Sequence, residues 1–178
     1  IVTEDYWVKQ FYINKTNILV TSFSNGIDSF EVIDFMPRYQ NEDHNYYFPP
    51  DLIRHIKLKT GNPKFRIKYD PRLEYARHET VSIIDKNYIK SYTTEGTYDS
   101  VYLYTNLDRQ KILDCEEIEL SDNSYFLLSY NQKILEQSVE RSYLKLQRTK
   151  VYWLNWSERT VKYKKFNKTI VRSALVLK

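Results

Sequence analysis

Glycine is scarce in this chain: 178 residues hold three, Gly26, Gly61 and Gly96, and none lies close to another. A glycine-rich loop that cradles phosphate is therefore excluded, and nucleotide-loop chemistry with it. Cysteine occurs once, as Cys115, so no internal disulfide forms, and Asp114, Glu116 and Glu117 beside it disfavour a thiolate. His44, His55 and His78 fall on different segments and at no metal-ligand spacing, so neither a metal nor a cofactor is expected. No Gly-x-Ser-x-Gly elbow marks a serine nucleophile. A run of about 18 apolar residues is also lacking, so no membrane helix and no membrane partner are expected. No basic-then-apolar leader is visible in these residues, and with the lone cysteine this makes a cytoplasmic location the expectation.

What is present fits one globular domain with a real core. Hydrophobic residues make up 42% and charged residues 28%, a balance that disorder does not show. Seventeen of the residues are Tyr, and aromatic enrichment favours strands. The net charge of +4 hides an asymmetry. Residues 1–137 carry 16 basic and 21 acidic side chains, whereas residues 138–178 carry 11 and 2. A split of that kind marks a change of role along the chain.

Period-two alternation dominates the first part. Phe65, Ile67 and Tyr69 alternate with Lys64, Arg66 and Lys68, the pattern of a strand with one dry face. Similar runs predict strands at 7–12, 17–23, 30–35, 52–58, 64–69, 80–84, 88–92, 100–105, 111–120 and 125–130. Asn25-Gly26 between two apolar runs predicts a hairpin whose two central residues have positive φ. About ten strands with short connections imply a large antiparallel sandwich over residues 1–133. His55 alternates with Ile56 and is therefore expected to face solvent.

From residue 134 the period becomes helical. Leu144, Val151, Leu154 and Val161, widened by Val139, Leu146 and Trp153, predict a helix over 138–158 with that stripe buried. A second helix begins near Asn167, with Phe166, Ile170, Ala174 and Leu177 on one side and Val171, Leu175 and Val176 on others. Apolar nearly all round, it is expected to be buried, in part by further polypeptide beyond Lys178.

Two groups invite a functional reading. Tyr39, Tyr46 and Tyr47 lie in the longest loop, 36–51, stiffened by Pro37, Pro49 and Pro50, and such a loop can line a sugar pocket or simply pack on the sandwich rim. Arg141, Lys145, Arg148, Lys150, Arg159, Lys162, Lys164, Lys165 and Lys168 surround Trp153 and Trp156, a mixture that suits nucleic acid. The tryptophans belong to the apolar stripe, however, and a solvated helix face accounts for the cations, so no nucleic-acid partner is expected.

Five landmarks follow one another in order. They are Val32-Ile33-Asp34-Phe35-Met36-Pro37, Leu52-Ile53-Arg54, Pro71-Arg72-Leu73-Glu74-Tyr75-Ala76-Arg77, Thr149-Lys150-Val151-Tyr152-Trp153-Leu154-Asn155-Trp156, and Arg172-Ser173-Ala174-Leu175-Val176-Leu177-Lys178. Together they resemble the N-terminal part of bacterial and archaeal members of glycoside hydrolase family fifteen, the glucoamylase- and trehalase-like enzymes. The resemblance implies a mostly β fold, an antiparallel β-sandwich of the supersandwich type followed by one or two C-terminal α-helices. It also implies that the family's first strands precede Ile1, and that 134–178 is a helical linker and the start of an α/α catalytic barrel. That barrel of the same polypeptide is the implied partner, and an α-glucan or trehalose the implied substrate. Members cleave with inversion, using a general acid and a general base across the scissile bond. Both lie in the barrel, so no catalytic residue is assigned here. Asp34, Arg72 and Tyr75 are read as structural, and Trp153, Trp156 and Arg172 as the barrel interface. A freestanding carbohydrate-binding sandwich and a nucleic-acid binder remain the alternatives.

Overall fold

Extended backbone sends successive side chains to opposite faces, so alternating segments become strands with one buried side. The computed structural model describes residues 1–135, 137–159 and 164–178. Its strands are β1 (Trp7–Tyr12), β2 (Leu19–Ser24), β3 (Ser29–Phe35), β4 (Tyr39–Gln40), β5 (Tyr46–Tyr47) and β6 (Asp51–Thr60), then β7 (Lys64–Arg66), β8 (Thr80–Ile84), β9 (Ile89–Thr93) and β10 (Ser100–Thr105). Helix α1 (Arg109–Leu113), β11 (Glu117–Glu119), β12 (Ser124–Tyr130), α2 (Val139–Glu158) and α3 (Asn167–Leu177) complete the order.

Eight strands form one antiparallel sheet in the order β1-β2-β3-β6-β12-β10-β9-β8. Each face buries a separate core. Phe30, Val32, Ile56, Leu103 and Phe126 pack on one side against Phe65, Ile67, Ile112, Ile118 and Leu120, which come from the small β7–β11 sheet and α1. On the other side Ile33, Phe35, Ile53, Tyr104 and Leu127 meet Leu146 and Trp153 of α2 and Val171 and Leu175 of α3. The fold is thus mostly β, layered like a sandwich and followed by C-terminal helices, as the sequence predicts. The two β layers are unequal in size, and the helices cover the face that the small sheet leaves open. Strand β1 forms one margin of the large sheet, and all six of its residues are exposed.

Several expectations change. Residues 111–120 are not one strand, because Asp108 caps α1 by accepting from the backbone N–H groups of Gln110 and Lys111, and only Glu117–Glu119 extend. The hairpin at Asn25-Gly26 is a four-residue turn. Gly26 alone has positive φ (+93°), and Asn25 Oδ1 accepts from the N–H groups of Ile27 and Asp28. His55 is 3% exposed, facing α2 with its Nδ1 3.3 Å from Ser142 Oγ. The buried row of α2 is Ser142, Leu146, Thr149, Trp153 and Ser157, while Leu144 and Val151 face outward. Helix α3 buries Val171 and Leu175 but leaves Phe166, Val176 and Leu177 exposed. Val161 and Lys162 lie outside the described residues.

Strand register brings four connecting segments to one end of the sheet. Phe35 pairs with Ile53, Ser129 with Asp51, Val101 with Tyr130, and Thr80 with Thr93. The 36–50 segment, the entry into β8, the 94–99 loop and the exit from β12 therefore lie together.

Candidate functional site: a cleft between a tyrosine hairpin and α2

The 36–50 segment is a small hairpin lying against the flank of α2. Tyr39 pairs with Tyr47 and Gln40 with Tyr46, and the rings of Tyr39 and Tyr47 stack at 4.9 Å. The hairpin closes with the N–H of Asn41 donating to Asn45 O at 2.8 Å. Three aromatic contacts tie it to the helix. The Tyr46 ring meets Tyr152 edge-on at 6.3 Å, Lys145 lies over Tyr47 at 5.7 Å, and Arg148 over Tyr39 at 5.5 Å. Such cation–ring contacts contribute about 0.5–2 kcal/mol each, more as they are desolvated.

Arg38 is the best-held polar residue of the group. Its backbone N–H donates to Thr149 Oγ1 at 3.2 Å and its Nε to the Tyr152 hydroxyl at 3.0 Å. Its guanidinium stands 5.5 Å from the Tyr152 ring and 5.9 Å from the Phe48 ring. Outside this packed seam the hairpin and α2 diverge, leaving an open cleft of about 1080 Å³. Arg38, Tyr46 and Phe48 line it from the hairpin, and Arg148, Tyr152 and Trp156 from the helix. Glu42 and Asp43 are the acidic residues of its lining, neighbours at the hairpin tip. Both stand on one wall, so they do not form the facing carboxylate pair that glycoside hydrolysis requires.

Beneath the hairpin lies a buried polar cluster. Asp51 is fully buried beside Ser129, its partner in the ladder, and among the described residues neither its carboxylate oxygens nor the Ser129 hydroxyl make a hydrogen bond of good geometry. Burial pushes the Asp51 carboxyl above the usual carboxylate range, against weaker pulls from Ser129 and Lys145. Burial likewise lowers the Lys145 ammonium, with the Asp51 charge partly offsetting it. The Tyr47 phenol is pushed up to about 12 by burial, then by Asp51 and Tyr39. Burial therefore shifts each of these groups toward its neutral form under an aromatic cover.

The residues singled out in the sequence separate in space. Tyr39 and Tyr47 stack as the packed base of the hairpin, and Tyr39 and the more exposed Tyr46 line the cleft while Tyr47 does not. Trp156 lines the cleft, while Trp153 is buried against the sheet. Asp34 sits on the opposite face, where Arg54 Nε and Nη2 donate to its two oxygens at 2.7 and 3.0 Å. Arg172 turns toward its own sandwich, donating to Thr16 O and Asn17 Oδ1 with its guanidinium 4.0 Å from the Tyr12 ring. Trp153 and Arg172 thus bind α2 and α3 to the sheet. Arg72 pairs with Asp70 at 3.0 Å. Tyr75 is 92% exposed in a turn where Glu74, Tyr75 and Ala76 all have positive φ (46°, 58° and 58°). Arg38 and Asp51 escaped the sequence reading, Lys145 entered it only as one of the helix cations and Tyr152 only within a family landmark. The signal for the helix side of the cleft was Thr149, Tyr152 and Trp156, spaced i, i+3, i+7 along one helix flank. For a carboxylate buried at the start of a strand no such signal exists.

Among the described residues no group of three or more His, Cys, Asp or Glu side chains is placed to hold a metal ion, and no helix is long and apolar enough to cross a membrane.

No model of a known protein family matches the chain. Two curated proteins are similar to it from end to end. A trehalase of Thermoplasma acidophilum is 26% identical over 179 residues, which cover 99% of this chain and 30% of that protein. A trehalase of Thermoplasma volcanium is 28% identical over 182 residues, covering 99% of this chain and 28% of that protein. The chain spans less than a third of the length of these relatives. Its layered sheet and its cleft-bearing helix are thus distantly similar to part of two archaeal trehalases.

Proposed function

We propose that this chain is the non-catalytic β-sandwich portion of an inverting α-glucoside hydrolase of glycoside hydrolase family fifteen. In this reading residues 1–133 form the sandwich, and residues 134–178 are the helical linker that leads into, packs on and helps shape a catalytic α/α barrel of the same polypeptide. The substrate of the whole enzyme is trehalose or an α-glucan. One observation carries the packing role. Helices α2 and α3 spend one face on the sheet and leave Leu144, Val151, Phe166, Val176 and Leu177 exposed on a segment rich in cations. An apolar, basic surface of that kind marks a contact with a complementary, acidic partner. The similarity to trehalases, over less than a third of their length, supports the chemistry.

Nucleic acid is the weaker reading, because two of the cations of α2 are turned inward: Lys145 and Arg148 lie over Tyr47 and Tyr39.

The test is hydrolysis. A polypeptide extended to the length of the trehalases releases glucose from trehalose or maltose, and the 178-residue chain alone releases none. Glucose release by the short chain overturns the assignment, as does an inactive but folded long one.

A further inference from the structure

We infer that the cleft between the 36–50 hairpin and α2 is a binding site for a short neutral gluco-oligosaccharide. The choice of glucose as the sugar rests on the hydrolase reading above; the choice of a sugar over an ion rests on the cleft itself.

Arg38 supplies the first argument. Its Nε donates to the Tyr152 hydroxyl and its guanidinium lies 5.5 and 5.9 Å from the Tyr152 and Phe48 rings, contacts that set its direction before any ligand arrives. Its two terminal nitrogens have no acceptor among the described residues, leaving a preset fork of donors at the cleft. A pair of vicinal hydroxyl oxygens on a pyranose presents two acceptors at a spacing such a fork can take. Preorganisation of this kind lowers the entropy cost of binding.

Ring surface is the second. Tyr46 is 56% and Phe48 65% exposed, and Trp156 is half-buried at the same cleft. Exposed rings beside fixed polar groups suit an amphipathic ligand, and a pyranose has C–H faces to lay on rings and hydroxyls around its edge. Gln147 and Asn155 add amide donors and acceptors along the helix wall.

Charge decides the class. Arg38, Arg148, Arg159 and Lys178 line the cleft together with Glu42 and Asp43. A multiply charged anion entering here meets the two carboxylates and a cation meets three guanidinium groups and an ammonium, whereas a neutral polyol can bond to both signs. The volume, about 1080 Å³, exceeds what one monosaccharide fills and suits an oligosaccharide in an open groove.

Titration of the 178-residue chain with trehalose, with maltotriose and with sulfate, followed by amide and indole NMR shifts, tests the site. At least one of the two sugars gives saturable shifts at Trp156 and the 36–50 hairpin, and none at the distant Trp7. Phe48→Ala and Arg38→Lys each weaken the sugar about tenfold, a change of about 1.4 kcal/mol. Phe48 is largely exposed, so its variant keeps the parent's thermal midpoint. Absence of saturable shifts with both sugars overturns the inference, and so does a response to sulfate with both sugars silent. A silent cleft in a chain whose longer form hydrolyses trehalose removes this site alone. Sugar binding beside an inactive longer form removes the hydrolase assignment alone.

Discussion

Asp51 and His55 share the sheet face under α2, two residues of one strand on either side of Ile53, and they respond to pH in opposite senses. The folded state raises the Asp51 carboxyl above its ordinary value because burial disfavours its charge. Its contribution to stability is therefore full below the unfolded carboxyl value of about 3.9 and is lost as pH rises through the higher folded value. His55 is lowered from 6.5 by burial and by Lys57. Its contribution is full above 6.5 and is lost as pH falls through the lowered folded value. Asp51→Asn removes the first dependence. Thermal midpoints measured across acidic to neutral pH are expected to rise for the variant at neutral pH, because the amide has no charge to desolvate. The fall on the acid side, set in part by His55, stays. A variant no more stable than its parent at neutral pH sinks the account of Asp51 as an unsatisfied carboxyl.

At the scale of elements, α3 is two-sided, and its residues separate cleanly. Leu175 is buried against the sheet, so Leu175→Ala is expected to cost about 2–5 kcal/mol in denaturant unfolding. Leu177 is 88% exposed, and Leu177→Ser is expected to change stability by no more than about 0.5 kcal/mol. Equal losses would mean that α3 docks by another face. The same two-sidedness explains what the sequence did and did not reveal. The span of α2 was legible, since Ser138 caps it by accepting from the Arg141 N–H and its apolar spacing is helical. Its buried row was not. Three of the five buried positions are Ser142, Thr149 and Ser157, small polar residues that let the helix approach the sheet, while the larger Leu144 and Val151 project outward. Apolarity ranks side chains by hydrophobicity, and close approach selects them by size. Helix α1 was missed because Ile112 and Leu113 read as strand while the cap at Asp108 went unweighed. The tyrosines of the hairpin were visible as aromatics in a proline-flanked loop. Their partners on α2 were not, because contact across more than 100 residues leaves no local pattern.

Across the whole molecule the charge asymmetry becomes a division of labour between layers. The sandwich residues carry an acidic excess and the helical layer a basic one, and several cations of the helices are turned inward onto tyrosine rings. What faces outward from the helices is apolar surface ringed by the remaining lysines. A surface of that kind, left open, associates with copies of itself as concentration rises. Sedimentation of the isolated chain is expected to show concentration-dependent association, and Val176→Ser with Leu177→Ser to reduce it without moving the thermal midpoint. Association that the double variant leaves unchanged would place the sticky surface elsewhere.

Strand β1 offers the obvious elsewhere. Trp7, Val8, Phe11 and Tyr12 stand in solvent on a strand whose outer row of amide and carbonyl groups finds no ladder among the described residues. Natural sheets blunt such margins with charge, proline or a bulge, and here Lys9 is the single charged residue in the strand. Preparations of this chain on its own are therefore expected to age by seam-wise growth, one molecule's margin zipping onto the next. A second lysine at Val8 would be the smallest change that keeps them clear.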